Sequence, residues 1–185
     1  MKETIITAGF GGQGIIFMGR LLAHAGLLEG RNVTCLPSYG PEMKGGTANC
    51  MVVISDQKIG SPYVIDPFNL IAMNGPSLDR FETVTREGGC ILINESMVDR
   101  QSNRSDLKVA YVQATKIAHD LGDVRVANMV ALGAFLKTKP LVQIESITTS
   151  MKNVLSNQKY DMILLNWLCA DMWSYHPDYA FQAYP

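Results

Sequence analysis

Two rhythms of apolar residues alternate along the first two thirds of the chain. Residues 4–8, TIITA, form a short β-branched run that ends on glycine, which predicts a buried strand. Past Gly14 the period changes. Ile15, Ile16, Met18, Leu21, Leu22, Ala25 and Leu28 recur at helical spacing, and Gly30 supplies a stop. Residues 32–36 predict a second strand, ended by Pro37. Residues 47–55 and 61–66 read as an antiparallel pair joined by the polar DQKIG turn. Further strands are expected at 70–73, 90–94 and 109–113, with a helix over 77–85 after Gly75-Pro76. Helices are expected over 114–121, 123–137, 141–155 and 160–173.

Strands alternating with helices predict a mostly parallel sheet covered on both faces. The expected fold is therefore α/β: a three-layer α/β/α sandwich with a Rossmann-like sheet and a helical C-terminal part. No repeat, low-complexity tract or linker divides residues 1–185, so a single domain is expected. The stretch VRVANMVALGAF is apolar almost all the way round its helix, so that helix is either central to the core or partly buried by a partner chain, the latter being the expectation.

Composition narrows the function classes. A net charge of −1 with scattered Lys and Arg gives no reason to expect nucleic acid or an anionic membrane as partner. No signal-peptide pattern opens the sequence, and Arg20 and His24 interrupt its longest early apolar run. A cytoplasmic location is expected. The four cysteines, Cys35, Cys50, Cys90 and Cys169, form no C-x-x-C pair. That pattern argues against a local zinc or iron–sulfur motif and for buried reduced thiols.

Two glycine-rich loops hold the candidate chemistry. Gly9, Gly11, Gly12, Gln13 and Gly14 lie between a strand and a helix, where backbone N–H groups can approach a phosphate. A dinucleotide site also needs an acid near the end of the second strand, and none stands at 34–36. The second loop includes Glu42, Lys44, Gly45 and Gly46. It nearly spells a P-loop, but its lysine is displaced and a strand follows it instead of a helix. His24, His119 and His176 lack metal-ligand spacing, no G-x-S-x-G elbow occurs, and Gly122-Asp123-Val124 breaks any thiamine-type G-D-G motif. The chain thus carries ligand-friendly loops without a recognisable catalytic group.

Taken together, ITAGFGGQGIIFMGRLLAHAG, SYGPEMKGGTANCMVVISDQKIGSP and NMVALGA resemble the gamma subunit of 2-oxoacid:ferredoxin (acceptor) oxidoreductases, most nearly the 2-oxoglutarate type. The resemblance runs over residues 4–136. It implies a multi-subunit enzyme that oxidatively decarboxylates a 2-oxoacid to an acyl-CoA and passes electrons to ferredoxin or a similar acceptor. It further implies alpha, beta and, in some members, delta chains as partners. Thiamine diphosphate, magnesium and iron–sulfur clusters would lie on those chains, with no cofactor bound by this chain alone. The glycine-loop residues would meet coenzyme A or the partner subunits. One departure stands out: the family commonly has arginine in an E-x-R-G-G pattern where this chain has Lys44, which lacks the planar two-pronged donor set. A free-standing nucleotide-binding protein, a purely structural interaction subunit and the related indolepyruvate-type enzyme are the alternatives.

Overall fold

A computed structural model describes residues 1–40, 46–154 and 182–184. Its centre is a mixed sheet of seven strands: β1 (Lys2–Phe10), β2 (Asn32–Tyr39), β3 (Thr47–Ser55), β4 (Asn69–Ala72), β5 (Cys90–Asn94), β6 (Lys108–Val112) and β7 (Gln182–Tyr184). Their order in space is β2-β3-β1-β4-β5-β6-β7. Strands β1, β4, β5 and β6 run parallel, whereas β3 is antiparallel to both β1 and β2, and β7 is antiparallel to β6. The strand following α1 (Ile15–Leu28) therefore does not pair with β1, because β3 occupies the position between them.

Strict alternation divides the core. Ile5, Cys50, Val52, Ile54, Ile71, Leu92 and Ala110 face one side of the sheet, where α1, α3 (Ala114–Asp120), α4 (Ala127–Thr138) and α5 (Ile144–Val154) pack. Ile6, Ala8, Val53, Leu70, Ala72, Ile91 and Ile93 face the other. Among the described residues that second layer is thin and consists of α2 (Gly75–Phe81) and coil that contributes Val64, Val98 and Leu107. The period of two along each strand is the reason neighbouring residues join different cores.

The structure corrects several of these expectations. Residues 61–66 are coil, not a strand, with Tyr63 and Ile65 exposed and only Val64 buried. Strand β3 therefore finds its antiparallel partners in β1 and β2. Strand β2 continues through Pro37 to Tyr39, because β2 lies at the sheet edge, where a missing N–H breaks no ladder. Helix α2 ends at Phe81 and α5 begins at Ile144, while a 3-10 turn (Val124–Val126) precedes α4. The apolar α4 is buried by this chain's own core: Met129, Val130, Ala131, Leu132 and Phe135 are each at most 1% exposed. A partner is not needed to cover it. The helix expected over 160–173 and the residue Cys169 lie outside the described residues.

Helix α1 approaches the sheet closely through two glycines one heptad apart. A Cβ on Gly19 would come within 2.6 Å of Cys50 Sγ, and one on Gly26 within 3.0 Å of a Val33 methyl. Small residues at these two positions let the helix axis settle onto β3 without intervening side chains.

Candidate functional site

The candidate site forms where β1 ends. Sheet order reverses here: the β1–α1–β2 connection runs towards one edge, and β4, β5 and β6 extend towards the other. In open α/β sheets, ligands bind in the crevice outside the carboxyl ends of the strands at such a switch point.

The glycine turn is held by its own hydrogen bonds. Phe10 N–H donates to Gln13 Oε1 at 2.6 Å, and Gln13 N–H donates back to the Phe10 carbonyl at 3.2 Å. Gly12 and Gly14 adopt φ of 98° and 72°, a region that side chains rarely tolerate. Gly14 is also the residue from which α1 starts: its carbonyl accepts from Met18 N–H at 3.0 Å and from Asn128 Nδ2 at 3.3 Å. A Cβ at Gly14 would collide with the Asn128 amide, and one at Gly9 would collide with Gln13 Oε1 and Ile15. Thr7, fully buried on β1, donates to the Ile15 carbonyl at 3.1 Å and ties the strand to the first helical turn.

The two glycine loops are joined directly. Gly11 N–H donates to the Gly46 carbonyl at 2.8 Å, and Gly40 N–H donates to the Thr47 carbonyl at 2.7 Å. Gly9, Gly11, Gly12, Gln13, Gly14 and Gly46 thus lie together, whereas Glu42, Lys44 and Gly45 lie outside the described residues. The expectation that Gly11 to Gly14 all offer N–H groups is corrected: the Gly11 and Gln13 amides are engaged within the chain. Gly12, the exposed residue of the turn, and Gly14 are the remaining donors in it.

Three asparagines that the sequence reading did not assign lie on neighbouring elements, two at strand ends and one on α4. Asn74 follows β4 and caps α2, accepting from Ser77 N–H at 2.9 Å, while its Nδ2 is buried without a partner. Asn94, fully buried at the end of β5, donates to the Met73 carbonyl at 3.2 Å and to Thr115 Oγ1 at 2.9 Å. Asn128 is a buried amide in the otherwise apolar first two turns of α4. The cue for Asn74 was the Asn-Gly-Pro order, an N-cap followed by proline in the first turn. The cue for Asn128 was an amide inside an otherwise apolar run, since a buried amide demands a hydrogen-bond partner.

None of these groups is a nucleophile or a general acid–base pair, and among the described residues no three His, Cys, Asp or Glu side chains cluster as a metal site. What the arrangement offers is positioning: backbone donors at a helix start, rigidly presented by side-chain amides. The sequence profile of the pyruvate ferredoxin/flavodoxin oxidoreductase family matches residues 4–172. The chain belongs to this family. Among its relatives is the "Ketoisovalerate oxidoreductase subunit VorA" of Methanothermobacter marburgensis, 46% identical over 129 residues, which are 70% of this chain. This chain spans only 27% of that relative's length. The "2-oxoglutarate synthase subunit KorC" of Methanocaldococcus jannaschii is 35% identical over 152 residues, 80% of each chain. Among solved structures, the gamma subunit of a keto/oxoacid ferredoxin oxidoreductase from Geobacter sulfurreducens has a similar fold. Its TM-score is 0.81 at 24% identity, covering 92% of this chain and 94% of that one. The 2-oxoglutarate:ferredoxin oxidoreductase of Magnetococcus marinus, solved with 2-oxoglutarate, coenzyme A and succinyl-CoA bound, gives 0.82 at 20% identity. There the match covers 92% of this chain and 30% of that one. The family's members thus include both stand-alone subunits of this length and longer chains that contain the same fold.

Proposed function

We propose that the chain is the gamma-type subunit of a 2-oxoacid:ferredoxin oxidoreductase. The observation that carries this reading is the match to a 2-oxoglutarate synthase subunit over 80% of both chains. The reaction is oxidative decarboxylation of a 2-oxoacid with transfer of the acyl group to coenzyme A. Thiamine diphosphate, magnesium and iron–sulfur clusters belong to alpha, beta or delta partners, and ferredoxin or a related carrier accepts the electrons. Within the class, 2-oxoglutarate is the substrate this reading favours. Pyruvate and ketoisovalerate are its rivals, the latter because of the subunit VorA relative.

This chain's contribution is to close the site and position coenzyme A. Coenzyme A is strongly anionic, and an N–H-lined turn at a helix start is suited to phosphate. Gly12 and Gly14 present the donors, the Gly11–Gly46 bond holds the end of the second loop against the first, and Lys44 in that loop's sequence supplies a point charge. Positioning of this kind lowers the entropic cost of bringing the thiol to the acyl group.

Purification of the complex from its native cells by an affinity tag on this chain tests the assembly. Thiamine- and iron–sulfur-bearing chains should co-purify, with dye reduction dependent on coenzyme A and faster with 2-oxoglutarate than with pyruvate or ketoisovalerate. Recovery of this chain alone would turn the reading towards a free-standing ligand-binding domain. Lys44→Glu in the assembled enzyme should raise the KM for coenzyme A about tenfold, one charge contact of ~1.4 kcal/mol, with kcat far less affected. An unchanged KM would leave this chain a structural subunit, the reading that the internal use of the Gly11 and Gln13 amides favours.

A further inference from the structure

Away from the glycine turn, the fold brings together two cysteines that the sequence holds apart. Cys35 on β2 and Cys50 on β3 place their Sγ atoms 3.3 Å from each other and share a thiol hydrogen bond. In the ladder Cys35 lies opposite Val52 and Cys50 opposite Pro37, so the thiols are diagonal neighbours on the face covered by α1. The two differ in access. Cys35 is half-buried on the edge strand, while Cys50 is fully buried beneath Gly19 of α1. Arg20, the next residue on that helix, is exposed and places its positive charge near both sulfurs. An accessible thiol backed by a buried one is the arrangement of an attacking and a resolving cysteine.

We propose that Cys35 and Cys50 form a reversible dithiol–disulfide couple that responds to hydroperoxides. The Cys35 thiolate attacks one oxygen of the peroxide, the O–O bond breaks, and the departing hydroxide takes a proton to become water. Cys35 is then a sulfenic acid. Cys50 loses its proton and attacks the Cys35 sulfur, the S–O bond breaks, and the hydroxide released takes that proton as a second water. The two thiols are oxidised by two electrons in all, and hydrogen peroxide is reduced to two waters.

The surroundings support each step. The hydrogen bond from Cys50 and the charge of Arg20 bring the Cys35 thiol down to about 7, against the opposing effect of burial. Cys50 is pushed upward by that same hydrogen bond, by burial and by the neighbouring Cys35 charge. Conversion of Cys35 to a neutral sulfenic acid removes the thiolate that holds the Cys50 proton, so the second step is opened by the first. Cys90 provides the contrast, since it is buried and its thiol is pushed up to about 11.

Geometry also says what would move. A disulfide needs its sulfurs about 2.05 Å apart, against 3.3 Å here, and a diagonal pair starts farther apart than a directly opposed one. Strand β2 can yield, because among the described strands it pairs only with β3. It runs on to Tyr39 and Gly40, so closing the bridge pulls on the strand end that is bonded to Thr47.

The test is peptide mapping of the reduced full chain after one equivalent of hydrogen peroxide, with free thiols capped by iodoacetamide and the digest kept non-reducing. The expected result is one linked pair, Cys35 to Cys50, lighter by two hydrogens, with two titratable thiols lost and both recovered on adding dithiothreitol. Cys90 should remain alkylated. In Cys50→Ser, Cys35 should stop at the sulfenic acid and be trapped by dimedone. Alkylation of both Cys35 and Cys50 after peroxide, over-oxidation of Cys35 with Cys50 untouched, or linkage through Cys90 or Cys169 in the unsubstituted chain would each overturn the proposal. Because the unsubstituted chain decides the matter, a variant that fails to fold leaves it falsifiable.

Discussion

The two wings of the sheet on either side of β1 are built by different rules. The parallel wing, β4-β5-β6, is buried on both faces, and every residue of β4 and β5 is inaccessible. Its stability comes from large side chains meeting in the two cores. The antiparallel wing, β3-β2, ends in an edge strand that is nowhere fully buried, and α1 lies on it through Gly19 and Gly26. One wing depends on filled volume, the other on volume left out. Opposite substitutions should therefore damage them.

The largest loss is expected in the parallel wing. Leu92→Ala, at a fully buried position, should lower stability by about 3 kcal/mol by loss of burial and by leaving a cavity, read as a shift in the denaturation midpoint. The mirror experiment is Gly19→Val, which forces a side chain between α1 and Cys50. A cost of about 2 kcal/mol is expected from overpacking, with exposure of β2 amides in hydrogen exchange. If Gly19→Val were neutral, the closeness of α1 to β3 would not be what organises that wing.

A smaller effect sharpens the comparison through pH. Glu82, at the end of α2, is a buried carboxylate. Burial alone raises it, but hydrogen bonds from Ser102 Oγ, Arg100 and Asn103 N–H leave it below its ordinary value. It clamps the coil over the second face of the parallel wing. A carboxyl lowered by folding contributes stability that is present above its unfolded value, near 4.5, and is lost as pH falls through its lower folded value. Glu82→Gln should thus cost about 1.5 kcal/mol at neutral pH and flatten the acid limb of the stability curve. An unchanged acid limb would assign that pH dependence to other carboxylates.

The same contrast explains how much could be read beforehand. Residues 70–73, 90–94 and 109–113 are short apolar runs between polar or glycine-rich breaks, and each is a strand of the parallel wing within a residue or so of its expected bounds. The glycine turn was legible because Gly12 and Gly14 occupy backbone angles that other residues avoid. The place of β3 was not legible. An antiparallel strand between β1 and β2 depends on how closely α1 approaches, and spacing along the chain does not record that distance. Residues 61–66 alternate like a strand, yet Pro62 removes a donor and Tyr63 and Ile65 stay in solvent, so no partner ladder formed. The Cys35–Cys50 contact, likewise, exists only once the register is set.

That register carries a consequence for how the chain assembles. The β2–β3 pairing joins segments separated only by one loop, from Tyr39 opposite Ala48 to Asn32 opposite Ser55. Closing it loses little chain entropy. Strand β1 must instead wait for distant partners, Thr47 to Ser55 on one side and Asn69 to Ala72 on the other. Long-range pairings of this kind slow folding. The edge hairpin is the natural early unit, and β1 is the late closing element. The turn that follows β1, with its Gly11–Gly46 bond, would then be among the last parts of the molecule to reach its final form.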